Sequence, residues 1–158
     1  MKGAILEKGK EEYTKLKLFL PIIRGIVRSY NWLLTDISSD YSSENLCAND
    51  YEFLSGEEFE KLIEENYTFV WGVFSAILPD ITIDEVLEED LPYANGYAGF
   101  WKNPLTMQNT LASLELVIWD GELALIISSD EKIINDFLGY YKLSETLEKY
   151  NKRTFAIE

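Results

Sequence analysis

Leu114-Glu-Leu-Val-Ile-Trp119, Asp120-Gly121, Glu122-Leu-Ala-Leu-Ile-Ile127 is the stretch that decides the fold. Two apolar runs flank an Asp-Gly pair, and the central positions of a type I′ turn require the positive φ that this pair tolerates. The stretch therefore reads as a β-hairpin. Just beyond it, Ser128-Ser-Asp-Glu131 has the spacing of a capping box. That box would open a helix with Ile133, Ile134, Phe137, Leu138 and Tyr141 on one side. A last short helix, from about 144 to 152, offers Leu147 and Tyr150.

Working upstream, residues 67–78 (Tyr-Thr-Phe-Val-Trp-Gly-Val-Phe-Ser-Ala-Ile-Leu) are too aromatic and β-branched to be other than strand. Phe69, Trp71 and Val73 should point one way and Val70 and Phe74 the other. Both faces are then apolar, as in a central strand or one whose second face binds something. Gly72 marks a bulge or a close approach. Two further capping boxes, Ser55-Gly-Glu-Glu58 and Thr82-Ile-Asp-Glu85, open acidic helices. The first should bury Phe59, Leu62 and Ile63 and expose Glu57, Glu60, Glu64 and Glu65. Gly3–Glu7 and Tyr30–Thr35 read as strands. Residues 36–50 read as a polar loop in which Asp36, Asp40 and Glu44 lack the spacing of a calcium loop.

From Lys10 to Val27 the apolar residues recur at helical steps, and Lys10, Lys17, Arg24 and Arg28 would form a basic stripe beside them. The stripe exists only if the helix continues through Pro21. Without an internal repeat or linker, residues 1–158 read as one α+β domain. Its expected core is a mixed, mostly antiparallel sheet of about five strands, with the hairpin at its heart and helices packed chiefly on one face.

The absences narrow the chemistry. The chain has no histidine and one cysteine, Cys47, which leaves no Ser-His-Asp or Cys-His catalysis, no thiolate or histidine metal site and no internal disulfide. No glycine-rich nucleotide loop is present. Carboxylate chemistry survives, but no catalytic residue, metal ligand or cofactor site stands out. A lone cysteine and the lack of a signal-like leader or spanning segment point to the reducing cytoplasm.

Charge is unevenly spread. Residues 1–30 carry a balance of +4, residues 31–100 one of −15 and residues 101–158 one of −3, within a total of −14. Such a body repels nucleic acid and anionic lipid and attracts a basic protein. Residues 91–104 (Leu-Pro-Tyr-Ala-Asn-Gly-Tyr-Ala-Gly-Phe-Trp-Lys-Asn-Pro) form an irregular loop with Tyr93, Tyr97, Phe100 and Trp101. Such a loop can serve as a recognition surface, or its rings can plug the edge of the core.

The pattern of Trp119-Asp120, Ile126-Ile127-Ser128-Ser129-Asp130-Glu131, an apolar helix with Phe137 and a Leu147…Tyr150-Asn151 ending resembles small acidic bacterial proteins of unknown function. Immunity partners of secreted polymorphic toxins have similar hairpin-plus-helix endings, with no catalytic signature. This resemblance implies a protein-binding module that occludes a basic partner. Its candidate contacts are the loop aromatics together with Glu57, Glu60, Glu64, Glu85, Glu88 and Glu89. The alternative, from a different class, is a site for a small molecule such as a sugar, or a carboxylate-based enzyme, using Asp120, Glu122, Glu115 and the Trp/Tyr set.

Overall fold

The computed structural model describes residues 1–7 and 15–155. Its strands are β1 (Lys2–Glu7), β2 (Asn31–Ser39), β3 (Tyr51–Leu54), β4 (Phe69–Ile77), β5 (Ala112–Trp119), β6 (Leu123–Ser128) and β7 (Glu145–Thr146). The helices are α1 (Leu20–Ile23), α2 (Glu44–Asn49), α3 (Gly56–Glu64), α4 (Ile83–Val86), α5 (Glu131–Tyr140) and α6 (Leu147–Thr154). The fold is α+β. All strands join one sheet in the order β3-β2-β4-β5-β6-β1-β7, and every pairing is antiparallel.

The β5–β6 hairpin sits in the middle of this order. Asp120 (φ 53°) and Gly121 (φ 63°) both adopt the positive φ of a type I′ turn. The Glu122 N–H donates to the Trp119 carbonyl (3.0 Å), and the Gly121 N–H donates to the carbonyl of Val70 on β4 (2.8 Å). The turn is thus tied to the neighbouring strand as well as to its own.

The sheet has seven strands, not about five. The additions, β3 and β7, are edge strands of four and two residues, too short for an alternating pattern to announce them. Three helices pack on one face, and α4 and α6 join an irregular segment on the other. One face carries Trp32, Leu34, Phe74, Leu116, Ile118 and Ile126 against α1, α3 and α5. The other carries Val73, Val117, Leu125 and Ile127 against Leu147 and Tyr150 of α6 and the 91–111 segment. Val86 of α4 packs there on Leu33 and Ile77.

β4 departs from simple alternation. Phe69 shares its face with Phe74 (ring centroids 5.3 Å apart), not with Trp71 and Val73. The β2–β4 register slips between Thr35 and Ser38 and again between Ser38 and Ser39. This leaves Val70 as an extra residue, 41% exposed; a bulge reverses the side-chain parity beyond it. Gly72 is a close approach: a Cβ there would lie 2.8 Å from Cζ of Phe74 and 3.1 Å from Cδ1 of Ile37.

The capping boxes at Ser55–Glu58 and Thr82–Glu85 both form. The one at Ser128 does not. Ser128 ends β6, and Asp130 caps α5 by accepting from the Lys132 N–H (3.0 Å). Within residues 36–50, β2 continues to Ser39 and α2 forms behind a Ser43 cap. Because α2 buries no side chain, it has no apolar periodicity to read. Lys10 lies outside the described residues. From Leu16 to Ser29 the chain makes a 3-10 turn (Leu16–Phe19), α1 with Pro21 in its first turn, and a second 3-10 turn (Val27–Ser29). Lys17, Arg24 and Arg28 therefore share no continuous helix, and the basic stripe dissolves.

Two substitutions test these assignments. Gly121→Val should cost about 1 kcal/mol or more in stability, since a β-branched residue resists positive φ. Gly72→Ala should cost about 1–3 kcal/mol through overpacking against Phe74. Urea unfolding midpoints read both; an unchanged midpoint in either variant contradicts the local geometry.

Candidate functional site

The acidic candidates fall on two elements. Glu57, Glu60 and Glu64 lie on α3, whose Phe59 stacks on Trp32 (centroids 4.4 Å apart). Glu85 lies on α4, with Glu88 and Glu89 just beyond it, and α4 packs on Leu33. Trp32 and Leu33 are successive residues of β2, so the two acidic sets flank one corner of the sheet from opposite faces.

Half of these carboxylates have internal partners. Glu60 pairs with Arg28 (2.7 Å), and this contact raises the Arg28 guanidinium above its ordinary pKa. Glu85 caps Thr82 (3.1 Å). Glu89 accepts from the Thr110 N–H (2.9 Å) and, by a short bond, from the Thr110 hydroxyl. Glu57, Glu64 and Glu88 are exposed and have no ion pair among the described residues.

The aromatic loop divides in a similar way. Phe100 is buried, and Trp101 is wedged among Trp119 (5.0 Å), Tyr150 (5.8 Å) and Phe155 (5.6 Å). Tyr97 packs edge-on against Phe100 (4.7 Å). Burial raises the Tyr97 hydroxyl above its ordinary pKa, partly offset by a hydrogen bond to Thr106. These rings plug the sheet's second face. Tyr93, 47% exposed, is the ring of the four left open to a partner.

Under that loop lies a group with no obvious structural need. Glu115, on β5, is fully buried, with Ser75 and Ile127 as its cross-strand partners. One of its oxygens accepts a long bond from the Gln108 N–H (3.3 Å), and the other has no partner. Burial pushes the carboxyl up to about 7, moderated by the Gln108 bond. The buried hydroxyls of Ser75 and Thr35 are also unpartnered. Glu115 is closed off from solvent and so does not present a carboxylate to a substrate in this conformation.

The remaining acids tie segments together. Asp36 accepts from the N–H groups of Ala94 (2.8 Å) and Asn95 (2.9 Å). Asp40 accepts from the Thr68 N–H (2.9 Å), and Glu44 sits in the first turn of α2. Asp36, Asp40 and Glu44 do not converge, and among the described residues no group of three or more Asp, Glu or Cys side chains could hold a metal ion. No helix among the described residues is long and apolar enough to cross a membrane.

Three buried polar residues, Thr35, Ser75 and Glu52, carry no signal in the sequence: the first two interrupt apolar strands with small polar side chains and the third belongs to an ordinary acidic segment. Glu52 is 3% exposed on edge strand β3 and takes short hydrogen bonds from Tyr41 and Ser43.

Glu115 makes a pH prediction. An unfolded Glu ionises near ~4.3, and here the folded value is raised, so no penalty exists below that pH. As pH rises to about 7, the unfolded chain gives up this proton first and stability falls. The loss levels off above that pH, at about 3–4 kcal/mol. Glu115→Gln should remove this component, so its stability relative to wild type should grow between about pH 4 and 7. A difference that stays flat with pH contradicts the burial. A chelator should leave the thermal midpoint where it is. Comparison with known proteins finds no matching family model, no similar curated protein and no similar solved structure.

Proposed function

We propose that this protein is a non-catalytic binding module that holds a basic partner protein against its acidic corner, as an immunity or inhibitor protein does when it occludes its target. The observation that carries this reading is the surplus of exposed carboxylate. The ion pairs of the described residues engage only Glu60, Asp136, Glu7 and Glu145, in a chain with 28 acids and 14 bases. Glu57, Glu64 and Glu88 stay exposed around one corner without an ion pair among the described residues, Glu57 lying within electrostatic reach of Arg28. Like charges so placed steer an oppositely charged partner into encounter. Tyr93 supplies a ring at low entropic cost. The setting would be the cytoplasm.

A second reading, a site for a small molecule such as a sugar, has one observation in its favour. Trp71, Trp101 and Trp119 stand edge to face, each about Trp119 at 5.0 Å. All three are partly exposed, beside Asp120 and Glu122 of the hairpin turn. Tryptophan fluorescence titrated with a panel of monosaccharides tests it, and a flat response removes it.

The acidic corner is tested by reversing only the carboxylates that form no ion pair or side-chain hydrogen bond among the described residues. A Glu57→Lys, Glu64→Lys, Glu88→Lys variant should stay folded, with an unfolding free energy within about 1–2 kcal/mol of wild type. It should lose the basic proteins that wild type captures from a lysate of the source organism. Association with a captured partner should slow with salt, because steering is screened over about 8–10 Å near physiological ionic strength. Equal recovery of the same proteins by both chains overturns the proposal.

A further inference from the structure

The second face of the sheet is closed imperfectly. Four buried side-chain atoms lack a hydrogen-bond partner among the described residues: Thr35 Oγ1, Ser75 Oγ, Glu115 Oε1 and Asn151 Oδ1. All four lie on this side. Ser75 stands between Leu33 and Glu115 in the ladders, and Thr35 is paired with Val73. Asn151 of α6 donates to the Phe100 carbonyl of the cover (2.9 Å). A buried acceptor left unpaired forfeits the bonds that water would give it.

The cover over Glu115, residues 91–111, has one short 3-10 turn (Gly99–Trp101) and neither strand nor α-helix. Gln108 clasps it together. Its N–H donates to Glu115 (3.3 Å), its side-chain carbonyl accepts from the Tyr93 N–H (3.1 Å), and its Nε2 donates to the Tyr93 carbonyl (2.8 Å). This clasp lies at the surface, with Gln108 partly exposed and Tyr93 exposed.

No cation answers Glu115. The flanking strands β4 and β6 have no charged residue, and Lys102, the one charge in the cover, is exposed. Asp36 holds the Ala94 and Asn95 amides. On the helical side of this face, Glu85 and Glu89 are taken by Thr82 and Thr110, Glu148 by the Gly3 N–H, and Arg153 by Glu7 and Glu145. Asp84, Glu88, Asp90, Lys149 and Lys152 are exposed. The titratable neighbour that does feel Glu115 is Tyr97, whose pKa is raised and which is therefore neutral wherever a carboxyl titrates.

We propose that the Gln108–Tyr93 clasp is a proton-linked gate: it stays shut over Glu115 while that carboxyl holds its proton, and releases to admit water when the proton leaves. A buried carboxylate without a counter-charge is costly, and one long bond from an amide does not offset that cost. Water does, and it also reaches the Ser75 hydroxyl beside it. Opening is local. Phe100, Trp101 and Leu105 keep the apolar part of the face plugged, so the sheet stays folded while the clasp swings clear. Tyr93 moves with Gln108, because each holds the other's polar groups. The gate needs no partner and stands apart from the function proposed above.

Amide hydrogen exchange of the full chain, followed by NMR at several pH values and corrected for the intrinsic exchange rate, tests the gate. Shut, the carboxyl titrates at about 7; hydrated in the open form, it titrates near ~4.3. Opening therefore releases a proton between those values. Protection of the Gln108 and Tyr93 amides should fall by about tenfold per pH unit from about pH 5 to 6.5 and level off above about 7. The β5 amides should remain better protected at every pH, because they exchange only through a larger opening. In Glu115→Gln, which is neutral throughout and keeps a carbonyl for the Gln108 N–H, the fall should disappear. Clasp amides as well protected as β5 show that Gln108 is released only by global unfolding, and overturn the proposal. So does clasp protection that is absent or flat with pH in wild type, or an equal fall in Glu115→Gln. If that variant does not fold, the wild-type comparisons decide the matter alone.

Discussion

The middle strands of this sheet cannot show either face to water. Phe74, Leu116, Ile118 and Ile126 fill one side and Val73, Val117, Leu125 and Ile127 the other, all essentially buried. Each side chain of this size contributes about 1.5–3 kcal/mol when removed from water, so losing either cover would cost an amount comparable to the net stability of an ordinary domain. The chain must therefore supply two layers. One is helical, from α1, α3 and α5. The other is mostly irregular, and it draws on the 91–111 segment with α4 and α6 at its flanks.

That irregular layer explains the composition of the loop that forms it. A segment without a regular face cannot bury area by periodicity, so it uses large rings. Phe100 and Trp101 reach across to Trp119 and Tyr150, and Asp36 grips the backbone of Ala94 and Asn95. A cover of this kind packs less uniformly than a helix. It leaves the hydroxyls of Ser75 and Thr35 and one oxygen of Glu115 unpaired. The cost of Glu115 is lowered when its carboxyl keeps the proton.

The sequence is legible where local rules act alone. Asp120-Gly121 dictates its turn through φ, and Ser55 and Thr82 dictate their helix starts through reciprocal hydrogen bonds. It is illegible where a neighbour decides. Ser128 has the residues of a capping box three positions on, yet strand pairing claims it and its hydroxyl donates to the Ser113 carbonyl (3.0 Å). The parity of Phe69 depends on bulges in the β2–β4 ladder that neither strand announces by itself. Among the candidate site residues, charge alone could not separate Glu60, Glu85 and Glu89, which hold an ion pair or hydrogen bond within the fold, from Glu57, Glu64 and Glu88, which hold none among the described residues. Nor could aromatic content separate Phe100 from Tyr93. Each distinction depends on a residue more than ten positions away in sequence or on burial against the sheet, apart from the local cap of Glu85.

The sheet's two margins have a consequence for how molecules meet. A long, bare outer strand is a template on which any extended chain can pair. Here one margin is β3, four residues long, and the other is β7, which covers only Ala4 and Ile5 of β1. Beside that short stretch, the Gly3 N–H is taken by the Glu148 carboxylate (3.2 Å), so a main-chain donor near the open end is already engaged. Main-chain pairing is indifferent to sequence, since every residue but proline offers the same donor and acceptor. With its margins short and partly closed, the molecule leaves encounters to side chains, whose charge and shape can tell one visitor from another.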